Sequence, residues 1–111
     1  MAGVDDGIRF PAQTLRVWTE QIFRKVGVSP EDAALLTDSM IEANLRGVDT
    51  HGITRVLCTY VKRIQVGVMS PKTNLKILRD HPSTALIHSY NSIGQVASNH
   101  AMRLTIEKAK K

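Results

Sequence analysis

The stretch Arg46-Gly47-Val48-Asp49-Thr50-His51-Gly52-Ile53-Thr54-Arg55 decides how this chain is read, because it ends one helix, begins the next and gathers an imidazole, a hydroxyl and a guanidinium. Downstream, Ile53, Val56, Leu57, Tyr60, Val61 and Ile64 recur at the three-and-four spacing of an amphipathic helix. At about 100° per residue, His51, Arg55, Cys58 and Lys62 fall on the opposite side. Gly47 suits the C-cap of the preceding helix, and Asp49 or Thr50 suits the N-cap of the next, which puts His51 in the first helical turn. Backbone N–H groups are unpaired there and the dipole is positive. Such a terminus attracts anions and disfavours a charged imidazolium, which suits a histidine that takes and gives a proton near neutral pH. Gly52 is expected to leave room for a ligand.

A small molecule with a carboxylate beside a carbonyl fits this pattern. Arg55 would grip the carboxylate through its planar fork, His51 would face the carbonyl or hydroxyl, and Thr50 would orient the imidazole. A capped helix turning a polar, solvated face to water would show the same residues, and spacing alone does not separate the two readings.

Upstream, Ser29-Pro30-Glu31-Asp32 is a strong helix start: an N-cap serine, proline at the first helical position and acids in the first turn. That helix runs to about Arg46 and buries some of Ala33, Leu36, Met40, Ile41 and Leu45. An earlier helix begins near Pro11, buries Leu15, Trp18, Ile22 and Val26, and ends at Gly27. Beyond Gly67 and Pro71, Leu75–Leu78 and Thr84–His88 read as two strands of a hairpin around Asp80-His81-Pro82-Ser83. Two strands alone are marginal in water, so the hairpin needs a covering surface. Asn91 or Ser92 then caps a last helix with Ile93, Ala97, Ala101, Leu104 and Ala109 or Lys108 on one face. The loop from Ser89 to Gln95 could hold a phosphate at that helix start, but it lacks the glycine-rich fingerprints and reads first as a capped strand-to-helix turn.

With 111 residues, 42% hydrophobic and 23% charged, the chain has the make-up of one soluble globular domain. A flexible tail is expected over residues 1–10 and a single helical and hairpin domain over 11–111. The net charge of +5, from 15 Lys and Arg against 10 Asp and Glu, is scattered, and aromatics make up 5%. No basic stripe interleaved with aromatics points to nucleic acid, and the charge suits an anionic metabolite or nucleotide cofactor. A lone cysteine, Cys58, excludes an internal disulfide and reads as an inert, half-buried thiol. His51, His81, His88 and His100 lie on four separate elements, so no metal site is expected. No apolar run approaches the roughly 20 residues of a membrane helix, and the N-terminus lacks the features of a signal peptide. A cytoplasmic protein is expected. No strand, linker or cap follows the last helix, so the chain is expected to be a fragment.

Three stretches carry a family resemblance: Arg46 to Arg55; Tyr60-Val-Lys-Arg-Ile-Gln-Val-Gly67 with Pro71 after it; and Asn91-Ser-Ile-Gly-Gln-Val-Ala97 leading to Ala101-Met102 and Ile106 to Lys110. In that order they resemble the start of the type-2 malate/L-lactate dehydrogenase family, over nearly the whole chain from Leu15. The resemblance implies an α+β fold in which N-terminal helices pack around a short β-hairpin with a following helix, the first part of a larger, non-Rossmann dehydrogenase. It implies NAD or NADP as cofactor, with the main binding region absent from this chain, and a homodimer in the full-length protein. It assigns proton donation to His51 and substrate carboxylate binding to Arg55. The position before the histidine is usually serine, and Thr50 keeps its hydroxyl. The implied function is the substrate-binding part of an oxidoreductase interconverting 2-oxo and 2-hydroxy acids, the 111 residues alone being inactive. The competing reading is a stand-alone helical interaction module, which has no need of a histidine at a helix start with arginine one turn on.

Overall fold

A computed structural model describes residues 7–111. Of the expected tail, residues 1–6 lie outside the described residues, and residues 7–10 are exposed and without regular structure. Three helices follow, α1 (Ala12–Lys25), α2 (Pro30–Leu45) and α3 (Ile53–Gln65), then a hairpin of β1 (Lys76–Asp80) and β2 (Ala85–His88), then α4 (Gly94–Ala109). The architecture is α+β, with a two-stranded antiparallel sheet.

Local chemistry sets the helix boundaries. The Ser29 hydroxyl accepts the Asp32 N–H at 3.1 Å, Pro30 opens α2, and Glu31 and Asp32 sit in its first turn. Both α1 and α2 end with a glycine in the left-handed region, Gly27 at φ +98° and Gly47 at φ +76°. The Gly47 and Val48 amides reach back to the Asn44 and Ala43 carbonyls at 3.0 and 2.8 Å, a pairing that an L side chain at Gly47 would strain.

The core joins Phe23, Val28, Ala33, Leu36, Met40, Ile64, Ile93 and Val96, with the half-buried face of α3 against it. All six apolar residues expected on α3 face this core. The middle helix α2 packs on α1, α3 and α4. Tyr60 of α3 donates its hydroxyl to Gln95 Oε1 of α4 at 2.9 Å.

The first helix turns a different face inward from the one expected. Thr19 and Phe23 are buried, while Trp18 is 56% exposed and Ile22 is also exposed. Stripes 15-18-22-26 and 15-19-23-26 share both ends and diverge by one residue, about 100°, in the middle. The partner helix chose between them: Phe23 fills the core, and Arg16 beside that stripe reaches Asp38 of α2 at 2.6 Å. On α2 the expected Ala33, Leu36, Met40 and Ile41 are buried, but Leu45 is exposed at 68%. Cys58 is exposed rather than half-buried.

Strand β1 starts and ends later than expected, pairing Lys76 with His88 and Asp80 with Ala85, with an irregularity between Ile77 and Arg79. Both strands are largely exposed. Lys108 of α4 clasps the hairpin turn, its ammonium bonding Asp80 Oδ1 and the His81 carbonyl. That cation holds the Asp80 carboxyl below its ordinary value of 3.8.

Neither Asn91 nor Ser92 caps α4; its N-cap is Ile93, without a side-chain bond. The Ser92 hydroxyl points into the fold, donating to the Ser89 carbonyl and accepting the Asn74 N–H at 3.0 Å. A tertiary staple has taken the group that local pattern assigned to a cap.

Candidate functional site

Between α2 and α3 the chain makes one tight turn of 3₁₀ helix, Asp49–His51. Its bonds run from the His51 N–H to the Val48 carbonyl at 3.0 Å and from the Gly52 N–H to the Asp49 carbonyl at 3.1 Å. His51 therefore precedes α3 instead of sitting in its first turn, and the helix N-cap is Gly52, not Asp49 or Thr50. Arg55 is the charged residue of that first turn.

The shift has an identifiable cause, Asn44 in the last turn of α2. Its Oδ1 accepts the Ile53 N–H at 2.9 Å, doing from an earlier helix what a local N-cap would have done. Its Nδ2 donates to Asp49 Oδ1 at 2.8 Å, so one carboxamide grips both ends of the turn. Sequence reasoning missed Asn44. A trace was present: an amide side chain one turn before a helix end, followed by a connection short enough for it to span.

Gly52 has a different role from the one expected. It is buried, and its backbone is extended rather than left-handed. A Cβ built there would lie 2.2 to 2.4 Å from Oδ1, Cγ and Nδ2 of Asn44. The space above Gly52 is filled by the carboxamide, so the glycine admits Asn44 and not a ligand.

Thr50 and His51 come together, with Thr50 Oγ1 2.9 Å from His51 Nδ1. Thr50, His51 and Arg55 are all exposed. Among the described residues no carboxylate pairs with the Arg55 guanidinium, and α3 has no acid in its first turn. A cation at that end of a helix opposes the dipole by roughly 0.3–1 kcal/mol. Beside the turn opens a hollow of about 610 Å³, lined by Phe10, Ile41, Asn44, Asp49, Ile53 and Thr54 among others.

The remaining histidines are dispersed. His81 is in the hairpin turn, His88 ends β2 against the Tyr90 ring, and His100 is exposed on α4. Among the described residues no three His, Cys, Asp or Glu side chains gather as metal ligands, and no helix is long and apolar enough to cross a membrane.

Residues 10–111 match the family model described as malate/L-lactate dehydrogenase. The chain is 38% identical over 104 residues to malate dehydrogenase of Pyrococcus abyssi (strain GE5 / Orsay), covering 94% of this chain and 28% of that protein. It is 36% identical over 106 residues to hydroxycarboxylate dehydrogenase B of Escherichia coli O157:H7, covering 96% of this chain and 29% of that one. The structure of malate dehydrogenase from Pyrococcus horikoshii OT3 superposes with a TM-score of 0.93 at 37% identity, over 99% of this chain and 32% of that chain. The chain spans less than a third of the length of these relatives.

Proposed function

The chain belongs to the malate/L-lactate dehydrogenase family, and from that premise we propose that it forms the substrate-binding part of an NAD(P)-dependent oxidoreductase interconverting 2-oxo and 2-hydroxy acids. The observation that carries the reading is the Thr50–His51 pair set immediately before a helix whose first turn holds Arg55 without an acid beside it.

A planar guanidinium binds a carboxylate through two parallel bonds, fixing both position and orientation of a 2-oxo acid. An anion at Arg55 would also relieve the clash between that cation and the positive end of α3. His51 then faces the neighbouring carbonyl. When Nδ1–H donates to the Thr50 hydroxyl, Nε2 is the nitrogen free to meet substrate, protonated in the imidazolium that gives a proton and bare in the neutral imidazole that takes one. Reduction places negative charge on the carbonyl oxygen, and His51 delivers the proton that makes it a hydroxyl; in the reverse direction it removes that proton. Thr50 is the orienter in this scheme.

The nicotinamide cofactor used by the family would supply the hydride. The Ser92 hydroxyl at the start of α4 is spent inside the fold, and the hollow beside the turn is largely apolar, with Arg9 and Asp49 both on its wall. This chain's part is the substrate side. The homodimer expected from the resemblance belongs to the same reading.

The test is oxidation of NADH and NADPH by the natural gene product across a panel of 2-oxo acids, for wild type and His51→Ala. Loss of turnover by roughly 10²–10⁴-fold is expected on removing the proton donor. Unchanged turnover in His51→Ala would refute the assignment.

A further inference from the structure

Among the described residues Asn44 makes no side-chain hydrogen bond to His51 or Arg55, yet it holds the backbone on both sides of His51. Its Nδ2 is bonded to Asp49 Oδ1 at 2.8 Å, two residues before the imidazole, and its Oδ1 to the Ile53 N–H at 2.9 Å, two residues after. Gly52, between His51 and Ile53, is buried under the same carboxamide, which leaves no room for a Cβ. The two fixed points differ in strength. Asp49 is exposed and can find water, whereas the Ile53 amide is part-buried, and an unpaired donor there is costly.

We propose that Asn44 is the positioning residue of this site: acting through the backbone of the Asp49–Ile53 turn, its carboxamide sets where His51 stands relative to Arg55. The inference rests on the reading of His51 and Arg55 as the substrate pair. Arg55 is fixed to α3 by the helix itself, and α3 begins where Asn44 caps it. His51 stands outside α3, in the short 3₁₀ turn whose bond runs from its own N–H to the Val48 carbonyl; it inherits its place from that turn, which Asn44 closes. A carboxamide is suited to this because it donates and accepts at once across a short span. Releasing the turn moves the imidazole against a fixed guanidinium, and a displacement near 1 Å can cost roughly a hundredfold in turnover.

The test uses the natural gene product with isotope label at histidine Cε1, comparing wild type, Asn44→Ala, Asn44→Asp and Gly52→Ala at one fixed pH. Asn44→Ala is expected to shift or broaden the His51 resonance and leave those of His81, His88 and His100 in place. Asn44→Asp keeps an acceptor for the Ile53 amide, lets Asp49 turn to water, and is expected to restore most of the wild-type His51 signal. Gly52→Ala reaches the same contact from the other side, displacing the carboxamide while leaving Asn44 in the chain, and is expected to reproduce the effect of Asn44→Ala. It keeps the question answerable if Asn44→Ala does not fold. Turnover is expected to fall roughly ten- to a hundredfold in Asn44→Ala with a smaller change in KM, and to recover in Asn44→Asp.

A wild-type His51 resonance in a folded Asn44→Ala or Gly52→Ala protein overturns the inference, as does an Asn44→Asp protein no closer to wild type than Asn44→Ala. The resonances separate this outcome from failure of the functional reading. If His51→Ala retains full turnover, the substrate-pair reading fails whatever Asn44 does. If His51→Ala is inactive and the His51 signal ignores Asn44, the positioning inference alone fails.

Discussion

Replacing Gly52 by alanine adds one methyl group at a place where 2.2 Å separates it from Asn44 Oδ1, so the carboxamide must leave. Its departure removes the cap on Ile53, worth about 1 kcal/mol, and the exposed bond to Asp49, worth about 0.5 kcal/mol more. Leaving the part-buried amide unpaired can raise the total to roughly 2.5 kcal/mol. With a urea m-value of about 1–3 kcal/mol/M, the unfolding midpoint should fall by roughly 1 M, read by far-UV circular dichroism. The decisive comparison is the same substitution in an Asn44→Ala background. There the three atoms nearest the new Cβ are gone, and the backbone at φ −90° accepts alanine without strain. Alanine then also restricts the unfolded chain, so Gly52→Ala becomes neutral or stabilising by about 0.4–1 kcal/mol. The sign of the substitution is set by the residue at position 44, a coupling well beyond the roughly 0.5 kcal/mol scatter of independent sites. Equal losses in both backgrounds would refute the packing argument.

Arg55→Glu should stabilise the fold by roughly 0.3–1 kcal/mol, since it replaces a cation in the first turn of α3 by an anion, while abolishing capture of a 2-oxo acid; urea midpoints and KM report the two effects separately. Lys108→Met should raise the Asp80 carboxyl towards its ordinary value, followed by the pH dependence of its side-chain carbon resonance. Because that carboxyl is lowered in the folded state, its stabilising effect is present above its unfolded value of 3.8 and is lost as the pH falls through the lower folded value, so the variant's stability should differ from wild type least at the acid extreme. Ser92→Ala should cost about 1–3 kcal/mol by orphaning the Asn74 amide, measured by urea unfolding; a wild-type midpoint would show that the hydroxyl is dispensable.

What could be read from the residues follows the range of the forces involved. The start at Ser29-Pro30 and the stop at Gly47 are decided within one helical turn, and the structure has both where the pattern puts them. The inward face of α3 was legible for the same reason, its apolar residues forming one unambiguous stripe. On α1 two stripes compete, and the winner depends on Leu36 and Asp38 of another helix, which no pattern within residues 12–25 contains. At the site, Thr50, His51 and Arg55 could be picked out from the sequence as candidates, because they cluster where one helix ends and the next begins. The turn that holds them was not, because its cap comes from Asn44, nine residues before the amide it serves. Ser92 makes the same point: its hydroxyl was claimed by Asn74 and Ser89, which become neighbours only once the hairpin has formed.

The Ser92 staple also makes the hairpin a closed excursion. Asn74 and Ser89, the residues through which the chain leaves for the hairpin and returns, are held on one hydroxyl, and Ser70 bridges Ser92 alongside them. The path between Asn74 and Ser89 starts and finishes at one point on the helical body, so its length is decoupled from the turn and helix that carry His51 and Arg55. Exposed loop tips with neighbouring ends are where chains accept insertions. The turn at Pro82-Ser83 is therefore a natural graft point, where a reporter or an affinity tag could be spliced in while the turn between α2 and α3 keeps its shape.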